Sequence, residues 1–168
     1  MISGGIGTGK STLARNLSKK LGWKMISSGE YIRQWHAENN IPLDQPDLIP
    51  KDIDHQLDYG LQERMKEDEG VVFESHLGGW LAKDIDSTLR VLCTAEWDTM
   101  ITRAANRDGK SFLEEDHYAK KRGDTLYEKF KKLYGVEDGF DPKYFNLVVD
   151  TTTLTPEQVL EQVLKELE

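Results

Sequence analysis

The chain has 168 residues, 38% of them hydrophobic, and its 30 acidic against 22 basic side chains leave a formal net charge of −8. That length suits one domain with a proper core, and the acidity disfavours binding along a nucleic-acid backbone. No apolar run approaches the roughly 18 residues of a membrane span and no signal-peptide pattern opens the chain, so a cytoplasmic protein without membrane or nucleic-acid partners is expected.

Residues 4–11 read GGIGTGKS and fit G-x-x-x-x-G-K-[ST] at every fixed position. Glycines let the backbone wrap closely enough to aim several N–H groups at one polyphosphate. Lys10 can bridge its terminal phosphates, and the Ser11 hydroxyl can ligate Mg²⁺. A helix is predicted from Lys10, adding its positive N-terminal dipole to the same anion. Such a loop normally follows a buried apolar strand, yet only Met1, Ile2 and Ser3 precede the glycines here. Either the strand is short or a few native residues are missing; a shortened central strand would weaken the sheet, so the second is expected.

Leu13, Leu17 and Leu21 recur every four residues on the helix after the loop, with Gly22 as its terminator. A short strand is predicted at 23–26, a brief helix at 30–38 and a proline-marked loop through Pro42, Pro46 and Pro50. Ile53, Leu57, Leu61 and Met65 share one face of the next helix. Residues 71–74 form a compact strand ending in Glu74, and 88–94 another, where Cys93, the only cysteine, should pack rather than react. The helix at 97–107 is expected to turn Trp97, Met100, Ile101 and Ala104 inward. Ser111 and Glu114 have capping-box spacing, so a helix starts near Phe112 and continues through Phe130 and Leu133, with Gly123 a point where it could break. A last strand at 145–150 precedes a second capping box, Thr155 with Gln158, and a final helix with Pro156 in its first turn. Strands alternating with helices imply an α/β fold, a parallel sheet covered on both faces.

The loop alone does not separate kinases from GTPases, ATPases or motors. No N-K-x-D motif for reading guanine occurs. Ser28, Gly29 and Arg33 follow the second strand, and the Arg33 fork could meet a second phosphate-bearing substrate. Arg103 and Arg107 lie one helical turn apart and, with Arg122, could close over a transferring phosphoryl group; solvated helix charges are the competing reading for that segment. Glu74, at the carboxyl edge of an apolar strand, sits where open α/β sheets bind ligands and could hold the Mg²⁺ shell. These candidates are mainly cationic, which favours an acceptor oxygen that is already ionised and needs no general base.

On these residues the chain resembles the nucleoside monophosphate kinases, and among them the short, archaeal-type cytidylate kinases. The likeness runs nearly end to end. It takes in the loop through Thr12, the stretch Ile26-Ser27-Ser28-Gly29 with Arg33, and Glu74 with Leu77-Gly78-Gly79-Trp80, which is similar to E-G-R-L-A-G-W. It also takes in Lys132-Leu133-Tyr134-Gly135-Val136, similar to K-x-Y-G-I/V, and Leu147 to Thr151 ahead of Thr155-Pro156-Glu157. The resemblance implies a three-layer α/β/α P-loop kinase with a mainly parallel five-stranded sheet. It further implies a core of residues 1–26, 67–107 and 133–168, a nucleoside-monophosphate-binding helical insert at 27–66 and a helical lid at about 108–132. MgATP would be the donor, CMP or dCMP the acceptor, and ADP with the nucleoside diphosphate the products, formed by a monomer. ATP would lie on Gly4, Gly5, Ile6, Gly7, Thr8, Gly9, Lys10, Ser11 and Thr12, with Mg²⁺ on Ser11 and Glu74. The acceptor would meet Ser28, Gly29, Arg33, Asp54, Glu74 and His76, while Lys10, Arg33, Arg103, Arg107 and Arg122 serve catalysis. Asp54 and Asp58 share the acceptor-region helix, with core-edge solvation the expected role and facing the acceptor's base the alternative.

The acceptor side departs from the family pattern. His76 stands where E-G-R has its arginine and Ser75 where it has glycine; Lys129 replaces a lid arginine and Leu126 an acidic residue. A neutral imidazole cannot replace a guanidinium fork. Two other readings therefore stay open: a diverged small-molecule kinase with a different acceptor, and an ATP-binding sensor with little transferase activity.

Overall fold

Five short strands, all parallel, make the central sheet: β1 (Ile2–Gly4), β2 (Lys24–Ser27), β3 (Val71–Glu74), β4 (Val91–Thr94) and β5 (Leu147–Asp150). Their order is β2-β3-β1-β4-β5 in a computed structural model that describes residues 1–167. The glycine-bearing β1 is thus central, and the register sets Ser27 beside Glu74 and Gly4 beside Cys93. Apolar strand residues such as Ile2, Val72, Val91, Cys93 and Val149 are buried, as a parallel sheet covered on both faces requires.

Among the described residues, seven α-helices cover it: α1 (Lys10–Leu21), α2 (Ser28–Glu38), α3 (Lys51–Glu67), α4 (Gly78–Leu81), α5 (Trp97–Asp108), α6 (Phe112–Tyr134) and α7 (Pro156–Lys165). One apolar cluster joins the sheet to Leu13, Ala14 and Leu17 of α1 and Val159 and Val163 of α7. A second joins Met1 and Phe73 to Leu61 and Met65 of α3 and Leu77 and Leu81 around α4. These two clusters on opposite faces make the three layers, with the phosphate loop at the carboxyl ends of the strands.

Both capping boxes form, Ser111 with Glu114 and Thr155 with Gln158. Several local expectations need correction. Helix α2 starts at Ser28 because the Ser27 hydroxyl accepts from the Glu30 N–H and caps it. Helix α6 runs unbroken through Gly123; a helical glycine costs only about 1 kcal/mol, little beside the packing of a 23-residue helix. Trp97 does not point inward: it is 40% exposed, and its indole N–H donates to Asp116 of α6 at 2.7 Å. The single-turn α4 had no sequence signal. Asp54 and Asp58 are not solvated at a core edge; both are buried on α3, in line with Leu61 and Met65.

Candidate active site

The phosphate loop joins β1 to α1 in a conformation that its sequence demands. Gly7 has φ +70°, and a β-carbon there would run into the Met100 carbonyl. Gly9, at φ +83°, is the left-handed residue before α1 and leaves the helix without a side-chain cap, so the amides of its first turn are free to face an anion. The Thr8 hydroxyl donates to the Gly5 carbonyl at 2.9 Å, and the buried Thr151 hydroxyl donates to the Thr8 carbonyl, also at 2.9 Å. These two bonds pin the loop at Gly5 and Thr8.

Glu74 organises the polar centre. It is 3% exposed at the end of β3. Its two carboxylate oxygens accept from the hydroxyls of Ser11 at 3.1 Å and Ser27 at 2.5 Å. Lys10 donates to the Gly5 carbonyl at 3.1 Å and lies 3.9 Å from the same carboxylate. Burial lowers the Lys10 pKa, and Glu74 offsets part of that penalty. Arg122 and Arg107 are near enough to press it further down. Ser11 and Glu74 together present hard oxygens of the kind Mg²⁺ takes alongside water and phosphate. No set of three or more His, Cys, Asp or Glu residues able to cage a metal occurs among the described residues.

The predicted arginines are placed differently from one another. Arg103 donates to the Thr151 hydroxyl at 3.0 Å and carbonyl at 2.8 Å, and to the Thr152 carbonyl at 3.3 Å. It thereby walls a cavity of about 200 Å³ beside the loop, with Gly9, Thr12, Leu154 and Pro156 around it. Arg107 forms a fork with Asp108 at 2.6 Å on the exposed end of α5. Arg122, on α6, is half-buried with its Nε lacking a partner. Arg33 is exposed, its guanidinium folded over Gly29. Ser28, at the start of α2, donates to the Glu74 carbonyl at 3.4 Å.

His76 sits two residues past Glu74 against the rings of Phe140, at 4.5 Å between centroids, and Phe130, at 5.7 Å. Burial, then Lys10 and Arg122, push its pKa down to about 3, so the ring is neutral. Beyond it α6 is docked on α3 and the loop that precedes it. Lys129 is 2.7 Å from both Asp54 and the Pro46 carbonyl, with the Lys129 and Asp54 side chains 8% and 7% exposed. The Tyr134 hydroxyl donates to Asp58 at 2.8 Å, and Lys121 reaches Asp44 at 2.6 Å. Burial still raises the Asp54 pKa despite its lysine, so desolvation outweighs pairing there. Ser27 and Thr151, which fix Glu74 and the loop, lie in the resembling stretches Ile26–Gly29 and Leu147–Thr151, but the sequence assigned neither of them a role. The capping position of Ser27 before a helix is the one signal that could have found it.

Strand order, loop and the Lys10–Ser11–Glu74 cluster define a P-loop phosphotransferase. The fold is shared with a gluconokinase from Sinorhizobium meliloti (TM-score 0.64, 16% identity, 99% of this chain and 89% of that one). It is shared also with a shikimate kinase from Acinetobacter baumannii (TM-score 0.62, 13% identity, 99% and 90%). A family model described as an AAA domain matches residues 1–123. The chain is 35% identical to the cytidylate kinase of Sulfolobus acidocaldarius over 98% of its own length and 91% of that protein. It is 34% identical to that of Ignicoccus hospitalis over 97% and 95%. The chain belongs to the cytidylate kinase family, within the P-loop proteins that the AAA model describes.

Proposed function

We propose that this chain transfers the terminal phosphoryl group of MgATP to CMP or dCMP, giving ADP and the nucleoside diphosphate. The observation that carries the reading is the Lys10–Ser11–Glu74 cluster on an intact loop, in a chain similar from end to end to cytidylate kinases. The loop amides and the α1 N-terminus hold the phosphates, and the cavity beside Arg103 suits the donor's base. Ser11 and Glu74 would hold Mg²⁺, which when bound neutralises charge on the phosphates. Lys10, fixed by Gly5 and Glu74, spreads positive charge over the transferring group, with Arg107 and Arg122 behind it. Arg33 would take the acceptor phosphate. Glu74 already accepts from two serines, so it is not free to act as a base; an ionised phosphate acceptor does not need one.

In this reading residues 27–66 are the acceptor-binding region and about 108–132 the lid, both moving against the core of 1–26, 67–107 and 133–168 to exclude water. The enzyme acts as a monomer in the cytoplasm; the described residues include no helix long and apolar enough to cross a membrane. A coupled ADP-release assay across CMP, dCMP, UMP, AMP and small alcohols tests the reaction. Turnover that depends on CMP or dCMP is expected. Clear ATP binding with no acceptor-dependent release would make the chain a sensor instead.

A further inference from the structure

Glu115 stands in the first turn of α6, one residue past the capping box, and is 0% exposed. Lys110 reaches its Oε2 at 3.0 Å, while its Oε1 is buried with no hydrogen-bond partner. The same lysine lies over the Tyr118 ring, 4.0 Å from its centroid, so it is committed to one side of the carboxylate. Burying an acid with one oxygen idle is costly, and an apolar side chain would fill the place without that cost. The idle oxygen therefore points to a donor that arrives in another state of the protein.

One such donor is close. Arg107 is in the last turn of α5, separated from α6 only by the turn Gly109-Lys110-Ser111, and Glu115 lies near enough to bear on its charge. The guanidinium turns its Nε–Nη2 edge to Asp108, at 2.6 Å on both bonds, and leaves Nη1 outside that fork. The two partners are neighbours in sequence with side chains 60% and 30% exposed, and ion pairs in such positions add little. Yet the Nε–Nη2 edge is one that takes two oxygens of a phosphate side by side. Arg107 is also near enough to Lys10 to bear on its charge, so Asp108 occupies the edge that a phosphate on the loop would claim.

We propose that Glu115 is a positioning residue for Arg107: as the donor's phosphates displace Asp108 from the Nε–Nη2 edge, Glu115 Oε1 accepts from Nη1 and holds the guanidinium over the transferring group. This rests on the reading that the chain transfers a phosphoryl group from ATP. Lys110 stays on Oε2, so the buried carboxylate keeps a cation throughout the exchange. The aim of the arginine is thereby tied to the seating of α6.

The test is a double-mutant cycle on Glu115 and Arg107, read as kcat and KM of the intact protein with MgATP and CMP. Glu115→Gln keeps the shape and loses the charge. It should lower kcat by about 10- to 100-fold, the effect of misplacing a group at the reacting centre by roughly 1 Å, with the KM for CMP unchanged. Arg107→Ala should lower kcat at least as far, and adding Glu115→Gln to it should cost less than about 2-fold more. Losses that multiply in the double variant, or wild-type kcat in either single variant, overturn the inference and leave the kinase reading standing. Asp108→Asn changes only a surface group and decides the matter if Glu115→Gln does not fold. It frees the phosphate edge and should lower the KM for MgATP by about 2- to 5-fold, the worth of an exposed ion pair; an unchanged or higher KM overturns the inference. Wild-type protein that releases no ADP with any nucleoside monophosphate overturns the kinase reading, and the inference with it.

Discussion

In the proposed reading, the donor and acceptor sides of the molecule are built from different materials. On the donor side the binding surface is backbone, shaped by Gly7 and Gly9 in left-handed conformations and pinned by Thr8 and Thr151. On the acceptor side the surface is side chain, and α6 is held to the α2–α3 segment by Lys129 with Asp54, Tyr134 with Asp58 and Lys121 with Asp44. Backbone sites are pre-organised and tolerate little change, whereas a side-chain wall can be re-lettered residue by residue. Of two departures from the resemblance, Lys129 lies on that second side, whereas His76 follows β3 and faces Lys10 and Arg122.

The sharpest way to break the contrast is at Lys10. Lys10→Ala should lower turnover by ~10³-fold or more, because charge neutralisation at the transferring group is lost. Thermal unfolding should move only slightly, since Ser11 and Ser27 still satisfy Glu74. Near-normal turnover would remove Lys10 from the chemistry; a large loss of stability would mean that the cradle depends on the side chain.

Next in size is the buried ion pair. Lys129→Met leaves the Asp54 carboxylate buried without its cation, an effect of about 3–5 kcal/mol, or roughly 6–20 °C in melting temperature. Replacing both partners, Lys129→Met with Asp54→Leu, should recover most of that loss. Calorimetry on the three proteins checks it. Additive losses would show that the pair is not coupled across the two segments.

How much of this was readable follows the same division. GGIGTGKS is legible because a backbone cradle needs glycines, a lysine and a hydroxyl at fixed offsets. The capping boxes at Ser111 and Thr155 are legible because their partners lie three residues away. The Lys129–Asp54 contact joins residues 75 apart, with no spacing rule to announce it. Helical periodicity grouped Ile53, Leu57, Leu61 and Met65, yet the buried line of α3 is Asp54, Asp58, Leu61 and Met65. Apolarity points to the core only where the neighbouring element is apolar; opposite Lys129 and Tyr134 the buried residues are acids. Arg103 and Arg107 share a helix spacing but not a direction, because Thr151 and Thr152 capture one and Asp108 the other.

A smaller effect is expected at His76, where a ring that stays neutral down to a pKa of about 3 faces Lys10 and Arg122. His76→Arg introduces a third cation there, so the protein without nucleotide should melt lower than wild type. CMP should then raise the melting temperature of the variant more than it raises that of wild type, as the acceptor phosphate pairs with the new guanidinium. An equal rise in the two proteins would place residue 76 outside the acceptor's reach.

The finest measurement concerns Asp58. Burial pushes its pKa from the usual 3.8 up to about 6, while Tyr134 and Lys129 pull the other way. The folded protein therefore binds a proton between about pH 4 and 6 that the unfolded chain does not, and stability falls as pH rises through about 6. Asp58→Asn keeps an oxygen to accept the Tyr134 hydroxyl and removes the titration. Its stability relative to wild type should climb between pH 4.5 and 7.5, by about 2–3 kcal/mol at most. Subtracting the two proteins cancels the opposite slope from His76, whose lowered pKa weakens the fold as pH drops below 6.5. Urea melts across that range give the difference directly. A flat difference would mean that the α6–α3 wall keeps Asp58 hydrated, and the acceptor side would then be a looser surface than the docked helix implies.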